Sequence, residues 1–167
     1  VSFLFMGDFM MHDTQIDAAR DSIGNYEFDH YFDYTHSLIN GVDFAIANLE
    51  VTLAGPPFRG YPQFCAPDEY ALAIKRAGID VLTTANNHSN DRGSKGLIRT
   101  INFLDSINMP HLGTYIDTTA KNTMYPLVIE KDGIRVAVIN YTYGTNGLVT
   151  RPPNVVNMFN ELEMLAD

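Results

Sequence analysis

Asn86-Asn87-His88-Ser89-Asn90-Asp91 places six polar residues directly after an apolar run. A histidine set among amides and a carboxylate points to binding and activation more than to packing. Three other apolar runs end in the same way: FLFMG leads to Asp8, VDFAIA to Asn48 and Glu50, and IRVAVI to Asn140. Carboxylate oxygens, amide oxygens and an imidazole nitrogen form a mixed hard and borderline donor set. It suits Mn, Zn or Fe better than Ca, which prefers all-oxygen cages. Two such ions about 3.5–4 Å apart clamp a phosphate and activate a water. Carboxylates packed that closely without a cation repel, and at least one of their pKa values must rise.

Each of these residues also has a structural reading. Asp8 after Gly7 suits a turn, and Asn48-Leu49-Glu50 suits a strand end facing water. Asp91 reads first as a cap for the following helix. Its second reading is a carboxylate that steadies His88 through the other ring N–H, as acids beside ligand histidines commonly do. His12 reads as a loop histidine, with the cleft as the alternative. His30, His36 and His111 read as structural, and Cys65 as a buried apolar residue. Arg59 and Arg92 are available to an anionic substrate or to solvent. The loop Tyr141–Gly147 (YTYGTNG) either shapes the pocket or merely turns.

The elements that must position these groups follow from periodicity. Residues 3–6, 42–47 and 80–85 are short apolar runs of buried-strand type. In 26–41, Phe28, Tyr31, Phe32, Thr35 and Leu38/Ile39 recur at helical spacing, with Gly41 suited to the helix end. The proline-rich stretch 52–67 is a loop. Asp68 suits the start of a helix running to Ala77 and stopped by Gly78. Leu97, Ile98, Ile101, Leu104 and Ile107 mark a further amphipathic helix, followed by a short strand at 111–112. Residues 126–130 and 134–139 flank Asp132-Gly133, a favoured hairpin turn. Strands alternating with helices predict an α/β domain with a mostly parallel sheet. Ligands of such sheets bind outside the strands' carboxyl ends, so the polar clusters should converge on one edge.

Composition narrows the classes. The 167 residues fit one domain spanning 1–167. Net charge is −9 with pI near 4.8, and the eleven Lys and Arg are scattered, so no nucleic-acid partner is expected. No apolar run approaches the roughly 18 to 20 residues of a membrane-spanning helix. One cysteine excludes an intrachain disulfide. A first residue Val that leads at once into a strand fits removal of an N-terminal segment. The helix-like NMFNELEMLAD at the end fits a domain incomplete at its C-terminus.

These motifs resemble the bacterial capsule-synthesis CapA family, also called the poly-γ-glutamate biosynthesis PgsA type. FMGDFMM, VDFAIANLEVTL, GIDVLTTANNHSNDRGSKGLIRTINFLDS and IRVAVINYTYGTNG carry the likeness over nearly the whole chain. ANNHSND before a Gly-rich helix start is its specific part. The family is similar in turn to calcineurin-like metallophosphoesterases, which implies a layered α/β/β/α sandwich with a divalent-metal site, of two ions in the full pattern.

The resemblance puts Asp8 at the first-strand ligand position and Glu50 at the acidic, bridging one. Asn87 stands as a metal ligand, His88 faces the scissile phosphate as the catalytic residue, and Asn48 is a weaker candidate. Met10 stands where phosphoesterases usually carry a histidine, so the first metal binds weakly or borrows His12. The family's later histidine motifs have no counterpart before Asp167, so weak metal binding and little hydrolysis are expected of this chain.

The implied role is capsule or poly-γ-glutamate biosynthesis at the cell envelope, after export. An anionic polymer or phosphoester is the implied substrate, and other capsule-synthesis proteins the implied partners. The competing expectation is a non-catalytic envelope assembly or polymer-binding subunit that keeps the fold without hydrolysis.

Overall fold

The computed structural model describes residues 1–166. Four strands, β1 (Phe3–Phe9), β2 (Phe44–Leu49), β3 (Val81–Thr83) and β4 (His111–Leu112), form a parallel sheet in the order β1-β2-β3-β4. Helices α1 (Asp13–Ala18), α2 (His36–Ile39), α3 (Asp68–Ala77) and α4 (Gly93–Ser106) lie in the crossovers. The rest comprises β5 (Thr114–Tyr115), α5 (Thr118–Met124), the antiparallel hairpin β6 (Leu127–Lys131) and β7 (Ile134–Val138), β8 (Val155–Val156) paired with β5, and α6 (Glu161–Ala166). The α/β sandwich expected from the sequence is the fold observed. No helix among the described residues is long and apolar enough to cross a membrane.

Period-2 alternation in the strands builds the layers. Ala45, Ala47 and Leu49 of β2 face the helical side, packed with Ala71, Ala73, Ile74 and Ala77 of α3 and Leu104 of α4. Small residues there let α3 lie close on the sheet. Ile46 faces the other way, with Val81 and Leu112, onto Val138, Leu127 and Ile129 of the hairpin. The hairpin turn has positive φ at both Asp132 (53°) and Gly133 (76°), the type I′ geometry that Asp-Gly favours. On the hairpin's outer surface Val128 and Ile134 remain exposed among the described residues.

Several boundaries differ from the sequence reading. β1 does not stop at Gly7: the ladder continues through Asp8↔Asn48 and Phe9↔Leu49, with a register shift between Met6 and Asp8. Asp8 therefore sits on a bulged strand, not in a turn, and bulges re-aim side chains. The single helix expected in 26–41 is instead a 3-10 turn (Asp29–Phe32) and the one-turn α2. Thr35 Oγ1 donates to the Phe32 carbonyl at 3.1 Å, a local bond that competes with helix continuation. β7 is antiparallel to β6 and outside the parallel sheet, so Asn140 does not join the other polar tips. It clamps the end of β3, accepting from Ala85 N–H at 2.7 Å and donating to Ala85 C=O at 3.2 Å. The terminal helix begins at Glu161, after Met158 and Phe159, and Asp167 lies outside the described residues.

Gly113 makes that clamp possible. Its φ is +112°, and a Cβ there would stand 2.1 Å from Asn140 Oδ1 and 2.6 Å from Ala85 N. Gly113→Ala is expected to cost about 2 kcal/mol or more of unfolding free energy, read by urea denaturation, through strain plus loss of the clamp. Gly133→Ala, open on all sides, is expected to cost about 1 kcal/mol.

Candidate functional site

The carboxyl ends of β1, β2 and β3 meet at the Asn48 side chain. Its Nδ2 donates to Asp8 Oδ1 at 2.8 Å and to Glu50 Oε2 at 3.1 Å. Its Oδ1 accepts from Thr83 Oγ1 at 3.3 Å and from Asn86 Nδ2 at 3.0 Å. This set of partners decides which end of the amide is nitrogen, because the reverse orientation would face an oxygen against two carboxylates. Asn86 continues the network, donating to the Leu49 carbonyl at 2.8 Å and accepting the His88 N–H at 3.0 Å.

Asp8 is exposed at the bulge, whereas Glu50 is only 7% exposed. Burial pushes the Glu50 carboxyl up first. The hydrogen bond to Asp8, the Asp8 charge and the Asp91 charge add to it, bringing the carboxyl from 4.5 to about 7. Near neutrality Glu50 is therefore protonated in part, as a buried carboxyl beside a second acid is.

His88, 7% exposed, stands beside the pair with Nε2 4.0 Å from Glu50 Oε1. Its Nδ1 meets Asp91 Oδ2 at 2.8 Å, and the same oxygen accepts the Phe64 N–H at 2.6 Å. Burial pushes the Asp91 carboxyl up, against the opposing pull of those two hydrogen bonds. A donating Nδ1–H leaves Nε2 with its lone pair toward the acids. Asp91 is thus the acid that steadies His88. It makes no cap, since Arg92 occupies the N-cap position of α4. The capping preference fails because the ring and the loop N–H both reach this carboxylate first.

Asp8, Asn48, Glu50, His88 and Asp91 come together. Asn87 does not join their network: its side chain makes no hydrogen bond among the described residues. It lines an open cleft of about 590 Å³ with His88, Asp91, Tyr61, Gln63 and Asn146. His12 is exposed, and its ring packs edge-on against Phe64 at 5.0 Å, the ring that also contacts His88 at 4.7 Å. Met10 packs against the hydrophobic core.

Among the other histidines, His30 pairs with Glu27 and His111 with Asp105, remote in sequence from the cluster, and His36 lines a separate surface groove with Asp33 and Arg76. Cys65 is buried. Two groups escaped the sequence reading, the Asn86 amide as a partner of Asn48 and Phe64 as the wall behind both imidazoles, whereas the YTYGTNG loop does shape the pocket, through Asn146. Asn146 takes φ +51° in the YTYGTNG loop and brings Nδ2 within 3.5 Å of His88 Nδ1. Its Asn-Gly pair was the one available signal.

Asp8 and Glu50 are the pair whose oxygens a cation would need. Among the described residues, no group of three or more His, Cys, Asp or Glu side chains stands in position to hold an ion.

Residues 2–163 match the family model described as bacterial capsule synthesis protein PGA_cap. The capsule biosynthesis protein CapA of Bacillus anthracis is 26% identical over 149 residues, covering 85% of this chain and 34% of that protein. The chain therefore spans about a third of the length of this curated relative.

The Glu50 shift has a measurable consequence. A carboxyl whose pKa rises on folding adds stability that is complete below its unfolded value and lost as pH rises through the folded one. Here that window runs from 4.5 to about 7. Thermal melts of the chain are expected to lose stability across this window, and Glu50→Gln is expected to flatten that part of the profile.

Proposed function

The chain belongs to the bacterial capsule synthesis protein family PGA_cap, and from that premise we propose that its cleft is a divalent-cation-dependent phosphoester site serving capsule assembly. The observation that carries this reading is the pairing of Asp8 with a buried Glu50, bridged by Asn48, beside a His88 held by Asp91. Such a pair is costly unless something positive enters it. Without a cation, the Asn48 amide nitrogen serves as the positive end between the two acids.

The donor set fits one divalent ion of the Mn, Zn or Fe type better than two. Asp8 and Glu50 would supply oxygens and Asn87 a further carbonyl from the cleft wall, while Asn48 holds the two acids through its N–H groups. Such an ion supplies Lewis acidity and an acidified water when bound. The chain's own groups do the rest. Asp91 fixes the ring of His88, so that Nε2 faces the reacting centre. There His88 accepts a hydrogen bond from a protonated oxygen, or, once protonated, donates to an anionic or departing one. Asn87 and Gln63 offer amide N–H groups to substrate oxygens along the cleft.

By this reading the substrate is a phosphoester or anionic polymer, the partners are other capsule-synthesis proteins, and the protein acts at the envelope after export. The name of the B. anthracis relative supports the setting. A second reading, a polymer-binding or assembly subunit without hydrolysis, is favoured by one observation: among the described residues no third His, Cys, Asp or Glu is in position to hold an ion with the acid pair.

Titration with Mn²⁺ followed by calorimetry is expected to show weak, saturable binding that Asp8→Asn and Glu50→Gln abolish. Hydrolysis of an aryl phosphate diester is expected to depend on the ion. It should fall about 10²-fold or more in His88→Ala, with the melting temperature of the variant checked alongside. Ion binding without hydrolysis would select the polymer-binding reading. No ion binding at all would remove the metal site from both.

A further inference from the structure

A second cleft adjoins the first. It has a volume of about 550 Å³ and shares Gln63, Asp91 and Leu148 with the His88 cleft. Its chemistry is opposite in sign. Of the chain's eleven Lys and Arg, Arg76, Arg99, Lys121, Lys131 and Arg135 are in ion pairs with carboxylates among the described residues. That leaves six, and three of them, Arg92, Lys95 and Arg151, line this one cleft. A chain of net charge −9 has many acids to offer such cations. Of the acids among the described residues only Asp91 lines the cleft, and its Oδ2 is taken by His88 and the Phe64 N–H.

Two further features agree with an anionic occupant. The 14-residue helix α4 starts here with no acidic residue in its first turn, and its opening N–H groups lack intrahelical acceptors. Lys95 stands in that same turn, a position where a cation opposes the helix dipole unless a bound anion offsets it. Asn90, 3% exposed, also lines the cleft, and its Oδ1 is buried with no hydrogen-bond partner among the described residues. Asn90 Nδ2 meanwhile donates to the Leu148 carbonyl at 3.1 Å, tying this wall to the loop that closes the cleft.

We infer that the Arg92–Lys95–Arg151 cleft is a binding subsite for an anionic group, carboxylate or phosphate, on the part of an extended substrate that lies beyond the bond held at His88. The inference rests on the reading of the His88 cleft as the reacting end. The chain would run along the shared wall of Gln63 and Leu148, one end against acids and imidazole, the other against guanidinium and ammonium groups. Arg92 is pre-positioned for this, since its guanidinium donates to the Pro57 carbonyl at 2.8 Å. Lys95 and Arg151 are exposed, free to close on the ligand.

The test measures binding and not turnover, so it stands apart from any failure of hydrolysis. Poly-L-glutamate, polyphosphate and neutral dextran are titrated against the protein in chelator, at low and high salt. At least one polyanion is expected to bind, with affinity falling at high salt, and dextran is expected not to bind. Lys95→Gln/Arg151→Gln is expected to weaken polyanion binding about tenfold or more. Arg20→Gln/Arg135→Gln, with the same change of charge elsewhere on the surface, should leave it within about twofold. Binding of polyphosphate alone would make the group a phosphate, and binding of poly-L-glutamate alone a carboxylate. Equal binding of dextran, equal weakening by both double variants, an unchanged affinity in Lys95→Gln/Arg151→Gln, or no polyanion binding would each overturn the inference.

Discussion

Asn48 uses both ends of its amide at once, and the site is arranged around that fact. Two acids press against its nitrogen while a hydroxyl and a second amide press against its oxygen. No apolar residue of similar size could sit there, because four polar groups would lose a partner in a partly buried place. The arrangement also demands that β1, β2 and β3 lie side by side and parallel, with their carboxyl ends level. The bulge between Met6 and Asp8 supplies the last adjustment, turning the Asp8 carboxylate toward its neighbour.

From this hub outward, the loop of residues 52–67 supplies the back wall of the cleft. It is pinned from several directions: Thr52 Oγ1 to the Phe64 carbonyl at 2.7 Å, Leu53 N–H to Thr100 Oγ1 at 2.8 Å, and the Arg59–Cys65 backbone pair at 2.8 and 3.0 Å. A paired Asp68–Arg99 contact, with bonds of 2.7 and 2.8 Å, locks the start of α3 to α4 beneath it. These anchors let a proline-rich segment hold the Phe64 ring against His88 and its N–H against Asp91. The imidazole is thus held by Asp91 and by a loop that helices α3 and α4 anchor.

The electrostatics of the site divide along one wall. On one side, the exposed Asp8 and the buried Glu50 meet at the Asn48 amide. On the other, unpaired cations gather at a helix start in an otherwise acidic molecule. Asp91 stands at the boundary, committed to His88 and to the Phe64 N–H, which keeps its charge turned toward the imidazole. Opposite fields along one groove orient an extended anionic molecule in a single direction, and orientation of substrate is a large part of what a positioned site contributes.

The sequence by itself determined the alternation of strands and helices, the Asp-Gly hairpin and the polar tips of β1, β2 and β3. Apolar periodicity and turn chemistry are local, and parallel strands carry their carboxyl ends to one edge. It also named Asp8, Asn48, Glu50 and His88, because polar residues at strand ends stand out. It gave two uses for Asp91 and could not rank them correctly, since the deciding contact comes from Phe64, 27 residues away. It pointed to Asn87 where the Asn86 side chain enters the network, because backbone direction at a strand end separates adjacent side chains and no pattern records it. It extended one helix through 26–41, where local hydroxyl and amide bonds break the run. Which acid is raised, Glu50, and where the Asn146 side chain stands, 58 residues from His88, belonged to the tertiary structure alone: burial and proximity exist only once distant segments have packed.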